Sequence, residues 1–379
     1  MSRQTRKWIR RVHLTLAITL GLFVSILGLS GSVLVFGDEI DGWLRPELRR
    51  VSTEPGLEWA RLDDVVAAVR EAVPEAEPLY LNLPSDEGTA HTFWLMKPNS
   101  EMIKAYANPY TGEVLGNTHE HAGLIGFMHD LHIHLLLGHD GVTVVGVLGL
   151  GLLVMSGTGL FLWWPGWRQR RMALTVKWKG SWRRRIYDLH RAGGAWTMPA
   201  LAFVAVTGAS LAFYTLVAPA LVSAFGGKLP TDTLPLDEPA DGQMNWQGVL
   251  DAAEAEFPQA EPRWFYFPPE DGRSATVQVR QPGNKNPHGD TFVYVHPGRA
   301  ETISRHDWSE AEVGENLVDL LYPLHIGHFG PTLLIRCIMV VLGVVPVLLF
   351  GTGMWLWWQR TKAATAAAAR VQPQPAALS

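Results

Sequence analysis

The chain has 379 residues, a net charge of −4 and 47% hydrophobic residues. Its charged residues, 18% of the total, are segregated, so long uncharged runs alternate with polar stretches and a uniformly water-soluble chain is excluded. The single cysteine, Cys337, excludes an intrachain disulfide, a four-cysteine iron–sulfur or zinc site, and covalent c-type haem.

Residues 1–36 combine a basic start (Arg3, Arg6, Lys7, Arg10, Arg11) with an apolar run long enough to cross a bilayer. That run exceeds a signal-peptide core and has no small-x-small cleavage site before Gly37-Asp38, so an uncleaved anchor is expected. Residues 37–118 read as a small α+β module. A helix follows Trp59, strands are expected over 79–83 and 91–96, and an Asn108-Pro109-Tyr110-Thr111-Gly112 turn closes it. Within 119–140 lies an apolar segment, 123–137, too short to span, and it reads as an interfacial helix. The second span covers 141–165, a basic loop 166–189 and the third span 190–217. A second module follows over 218–313, with a helix after Trp246 and strands over 265–267, 275–280 and 291–295. Another short apolar segment lies in 314–331, the fourth span covers 332–359, and 360–379 reads as a disordered tail. The expected fold is thus a polytopic α-helical membrane protein, with four transmembrane helices in two pseudo-symmetric repeats and two α+β modules.

Orientation follows from lysine and arginine in the short connections. The N-terminus, the loop with Arg168, Arg170, Arg171, Lys177, Lys179, Arg183, Arg184 and Arg185, and the end of span four with Arg360 and Lys362 belong in the cytoplasm. Both modules then face the other side, where their acidic residues fit a periplasm-like compartment. Trp163, Trp164, Trp167, Trp355, Trp357 and Trp358 read as an aromatic belt on the cytoplasmic side. No nucleic-acid partner is expected, and membrane lipid is.

The chain also repeats itself. His13 lies 17 residues before Ser30-Gly31, and His190 lies 17 residues before Thr207-Gly208. LHIHLLLG from Leu131 leads to SGTGLFLWW, and LHIGHFG from Leu324 leads to FGTGMWLWW. His13 pairs with His190, and His132 with His325, at the two edges of the spans. A polar ring at membrane depth is a functional-site hypothesis, and paired histidines inside a helix bundle suit haem iron. Interfacial helix caps are the plainer alternative. Without a C-x-x-C-H motif the haem is b-type, and a pair of haems per chain is expected, one near each face. The outer ligand set stays open among His129, His132, His134, His325 and His328, and Arg336 either meets a haem propionate or snorkels. His119-Glu120-His121 is a weak metal pattern for which a solvated turn is the simpler reading. His91, His288, His296 and His306 read as ordinary structural or solvated residues. No nicotinamide, flavin or P-loop signature is present, so electrons are expected from a membrane quinol or a partner protein.

Residues 29–48 (LSGSVLVFGDEIDGWLRPEL), 131–138, 189–194 and 324–330, with the turn NPYTGEVLG, resemble the bacterial PepSY-associated transmembrane helix family. The resemblance implies an inner-membrane protein of iron uptake that reduces a ferrioxamine-like ferric siderophore. It also implies matching histidines at His13, His132, His190 and His325. The chain departs from the family at Leu14, where arginine is common, and at Ile133-His134, which replaces an Arg-Ser-like pair. The leading expectation is therefore a haem-b ferric-siderophore reductase. The alternative is a non-enzymatic membrane regulator whose modules bind a periplasmic peptidase or signalling partner. A metal or siderophore permease is disfavoured because the spans carry few polar groups to line a path.

Overall fold

The computed structural model describes every residue except 1, 54–55, 165, 167–168, 241–243, 271 and 372–379, so Trp167, Arg168 and the end of the expected tail lie outside it. The chain divides into two compact units, one of residues 1–35, 131–212 and 337–379, the other of 36–130 and 213–336. Element numbers below follow chain order.

The first unit is built on α1 (Arg3–Leu34), α6 (Gly141–Trp163), α8 (Trp182–Ala212) and α13 (Thr332–Val371). Among the described residues, four helices are long and apolar enough to cross a membrane. A helix satisfies its backbone polar groups internally, so these uncharged runs adopt it where no water is available. Helix α6 packs against both α1 and α8. Glycine lets α1 and α13 touch backbone to backbone, since a Cβ on Gly28 would lie 2.3 Å from the Gly343 carbonyl oxygen. The Ser32 hydroxyl adds a bond between helices to the Val340 carbonyl, at 2.9 Å. At one end Arg6 donates to the Leu162 carbonyl at 2.9 Å, satisfying a terminal acceptor of α6. The basic connection contains α7 (Arg170–Ala173) and is tied down by Trp163 Nε1 on the Ala173 carbonyl and Arg191 on the Met172 carbonyl.

Helix α8 begins before the expected third span and ends at Ala212 rather than 217. Phe213 steps out of the helical region at φ −103° and ψ 33°, and α9 (Tyr214–Phe225) starts as a separate helix. The apolar composition is continuous across this break, so hydropathy alone does not reveal it. Helix α13 continues through the alanine-rich stretch to Val371, so the first part of the expected tail is helical.

In the second unit α2 (Gly37–Leu44) and α3 (Pro46–Arg49) lead to α4 (Leu62–Ala72). Strands β1 (Glu77–Asn82), β2 (His91–Met96), β3 (Met102–Ala107) and β4 (Val114–His119) follow as an antiparallel meander, then α5 (Gly123–His134). The later segment repeats this plan with α10 (Trp246–Glu256), β5 (Glu261–Tyr266), β6 (Ala275–Arg280), β7 (Thr291–Val295) and β8 (Thr302–His306). The two modules expected from the sequence are not separate. Their first strands pair antiparallel, with Tyr80 opposite Tyr266 and Leu81 opposite Phe265, giving one eight-stranded sheet ordered β4-β3-β2-β1-β5-β6-β7-β8. Leu81, Phe93, Phe265, Val277 and Val249 belong to a single buried core. The physical reason is that a short sheet with exposed edges is marginal alone, and fusing two removes an edge from each.

Strands β3, β4 and β8 were not expected. The outermost two, β4 (VLGNTH) and β8 (TISRH), are largely polar and only partly buried, so they lack the alternating apolar signature. The second interfacial segment is also not one helix but two, α11 (Val313–Asp319) and α12 (Leu321–Ile326). A reciprocal capping box of Glu312 and Glu315 starts α11, and Gly327 in the left-handed region (φ 78°) ends α12.

Candidate cofactor-binding site

His13 and His190 both lie in the first unit, each near the start of its long helix. His13 on α1 places Nδ1 3.0 Å from the Thr158 hydroxyl on α6. His190 on α8 places Nδ1 3.0 Å from the Thr352 hydroxyl on α13. The two sites thus use equivalent partners from the repeated SGTG and FGTG motifs.

The direction of these bonds follows from counting protons. A hydroxyl has one to give. Thr158 gives its proton to the Val154 carbonyl at 2.8 Å, and Thr352 gives its own to the Leu348 carbonyl at 2.6 Å. Each threonine oxygen must therefore accept from the imidazole, so Nδ1 carries the hydrogen and Nε2 keeps its lone pair.

His132 on α5 repeats the arrangement at the other end of α1. Its Nδ1 lies 2.9 Å from the Leu27 carbonyl oxygen and 3.2 Å from the Ser30 hydroxyl. A carbonyl can only accept, and Ser30 already donates to the Ile26 carbonyl at 3.0 Å, so here too Nδ1 carries the hydrogen. The seventeen residues from His13 to Ser30 correspond to a rise of about 25 Å along the helix.

A glycine follows each hydroxyl residue and lies beside the ring it binds. A Cβ would fall 3.4 Å from His13 Cε1 at Gly159, 3.1 Å from His190 Cε1 at Gly353 and 2.8 Å from His132 Cε1 at Gly31. A Cβ would therefore collide with the ring at Gly31, crowd it at Gly353 and merely touch it at Gly159. Thr158, Thr352 and Ser30 are the functional residues that reading for metal-ligand types passes over. The signal that finds them is the repeated hydroxyl–glycine dipeptide.

The other sequence candidates spread over both units. His134 closes α5 and belongs to the first unit. It is followed by Leu135 and Leu136 at φ 50° and 59°, a left-handed step that costs energy for leucine. A Cβ on Gly141 would fall 1.8 Å from the His134 carbonyl oxygen, so this strained turn presses α5 onto the start of α6. His129, His325, His328 and Arg336 belong to the second unit. His129 is exposed, and His325 occupies the last turn of α12. Burial pushes the His328 imidazole below its ordinary range, while a bond to the Lys285 backbone works against it. Arg336 makes an ion pair with Glu39 at 2.7 Å and lies over the Phe36 ring at 4.2 Å. His119 and His121 form an exposed turn with Glu101 and Glu120 as charge partners. Among the described residues no group of three or more His, Cys, Asp or Glu side chains is arranged to hold a metal ion unaided.

Asp188 is a further residue the sequence reading passed over. It is fully buried two residues before His190 and accepts from Arg184 at 2.8 Å, with Arg191 at 3.1 Å. This carboxylate pairs with two arginines of its own helix and accepts from the Lys177 backbone N–H of the preceding connection at 3.3 Å.

The family described as PepSY-associated TM region matches residues 10–360, nearly the whole described chain, and the chain belongs to it. No curated protein matches the chain.

Proposed function

We propose that this PepSY-associated membrane protein is a haem-b electron-transfer protein of the bacterial inner membrane that reduces a ferric siderophore on its periplasmic side, releasing iron(II) for uptake. The observation that carries the reading is the shared state of His13 and His190. Each holds its hydrogen on Nδ1, against a threonine hydroxyl of a neighbouring helix, and leaves the Nε2 lone pair for a ligand bond. Axial histidines of metal sites are oriented in this way by a second partner. The residues fit the group: neutral nitrogen donors in an apolar bundle, with glycine rather than a side chain beside each ring.

His13 and His190 would hold one haem, and His132 would supply a ligand to the other. Haem b, when bound, supplies a one-electron couple, and one electron suffices because siderophores hold iron(III) far more tightly than iron(II). Thr158, Thr352 and Ser30 keep the rings in the ligating tautomer. The distribution of arginine and lysine supports a cytoplasmic N-terminus, basic loop and C-terminus, with the sheet-bearing segments in the periplasm. A chelate too large for a four-helix interior would dock on that sheet-bearing side, and a quinol or partner protein would supply the electron.

The test is an absorption spectrum with a pyridine haemochrome count. Purified protein should show Soret and α bands that shift on dithionite, with a pair of haems b per chain. His13→Ala or His190→Ala should remove one haem, and His132→Ala the other. A colourless, folded protein from haem-replete cells overturns the reading.

A further inference from the structure

The fused sheet domain contains a cleft that the haem reading does not use. It is a cavity of about 410 Å³ lined in part by Trp59, Arg61, His91, Gln247, Asp251 and Glu254. His91, the first residue of β2, is only 3% exposed, and neither ring nitrogen has a hydrogen-bond partner. A buried neutral imidazole offers one donor and one acceptor, and leaving both unmade is costly.

The second half of the domain shows that the fold does not require this histidine. Strand β1 pairs Leu81 with Phe93 of β2, and β5 pairs Phe265 with Val277 of β6, so His91 is equivalent to Ala275. Ala275 is fully buried in the core. The tryptophans near the two helices are placed differently, since Trp246 opens α10 where α4 has the buried Leu62, and Trp59 lies three residues before α4. Trp246 is 6% exposed and packs edge-on against Phe265 and Phe267. Trp59 is 42% exposed and meets the His91 ring edge-on at 4.9 Å. The two halves therefore differ at this strand position, where one has a buried alanine and the other a buried imidazole facing the cleft.

The mouth is acidic. Arg61 is answered by Asp63 at 3.0 Å, whereas Asp251 and Glu254 lie one turn apart on α10. Asp251 has one oxygen bonded to Gln247 Nε2 at 2.8 Å. Burial and the Asp251 charge both push the Glu254 carboxyl above its ordinary range, as expected of two neighbouring acids.

We propose that this cleft binds a small primary ammonium compound carrying an amide, with the ammonium between Asp251 and Glu254 beside the Trp59 ring and the amide N–H and C=O answering the nitrogens of His91. Aromatic faces and paired carboxylates together select a cation, and an amide supplies the donor and acceptor that His91 lacks. The site is independent of the haem assignment.

N-acetylcadaverine is the probe, titrated calorimetrically into the full-length chain in detergent. It should bind, and N,N′-diacetylcadaverine, which has no ammonium, should not. His91→Ala should weaken binding at least about tenfold, the scale of one lost buried hydrogen bond, while melting at the same or a higher temperature, because the second half folds with alanine there. The double variant Asp251→Asn/Glu254→Gln should also lose binding. No binding to the parent chain at about 10 mM probe, weaker than specific small-ligand recognition, overturns the proposal. So does equal binding of the diacetyl compound. A His91→Ala variant that melts lower and binds unchanged would show a purely structural histidine.

Discussion

An imidazole has two nitrogens, and the function proposed for His13 and His190 depends on which one is already engaged. The threonine partners decide this, because their own protons are committed to helix carbonyls. Thr158→Val and Thr352→Val should therefore retain the fold but loosen the ligand, lowering haem affinity by about 10–100-fold, the usual effect of losing such an outer partner. Serine at either position should restore it. Unchanged haem dissociation in both valine variants would mean that the hydroxyls are mere helix contacts. A different residue-level consequence concerns Asp290 and Asp319. Burial pushes both carboxyls above their ordinary range; Asp290 and Glu315 add repulsion at Asp319, while Asn286 and Asn284 partly counter the shift at Asp290. Asp319 Oδ2 also lacks a hydrogen-bond partner. As pH rises, the unfolded chain releases these protons first. Stability is therefore present in acid and is lost as pH climbs from the ordinary aspartate range through the raised folded range. Asp319→Asn should flatten the fall in melting temperature between mildly acid and neutral pH, and an unchanged slope would remove Asp319 as its source.

At the scale of elements, the membrane helices meet where side chains are smallest. A Cβ on Gly343 would lie 2.1 Å from the Ser32 hydroxyl and 2.3 Å from the Gly28 carbonyl oxygen. Gly343→Val should force α1 and α13 apart at an estimated cost of about 1–3 kcal/mol, typical of overpacking, and should lower both melting temperature and haem content. A variant with parental stability would show that this contact is soft. The sheet elements make the opposite point. Here large residues do the joining, with Phe265 facing Leu81 across the β1–β5 pair and fully buried. Phe265→Ala should cost about 3–5 kcal/mol. In hydrogen exchange, β2 and β6 should lose protection together, because they share one core. Loss confined to β6 would indicate two independent modules.

For the whole molecule, the charge asymmetry and the proposed haem levels define a direction. If the sheet-bearing segments face the periplasm, dithionite-reduced protein in oriented vesicles should be oxidised quickly by ferrioxamine added on that face. Equal rates from either face would argue against vectorial transfer, and reaction only from the basic-loop face would reverse the assigned path.

Periodicity and hydropathy on their own established the four long apolar helices, the basic connections and the paired histidines. Those properties are local: twenty uncharged residues must become a helix in a membrane, and a repeated motif is visible without any contact. The strands His91–Met96, Ala275–Arg280 and Thr291–Val295 were legible for the same reason, since their central positions are apolar and β-branched or aromatic. The edge strands and the break at Phe213 were not, because polar edges lack an alternating pattern and an apolar helix can stop without changing composition. Only the tertiary structure joined the two modules into one sheet, through a pairing between residues about 180 positions apart that no local pattern encodes. It alone brought Thr158 to His13 and Thr352 to His190, across 145 and 162 residues. The sequence named the rings, and the packing of helix on helix determined which nitrogen each one leaves for a ligand.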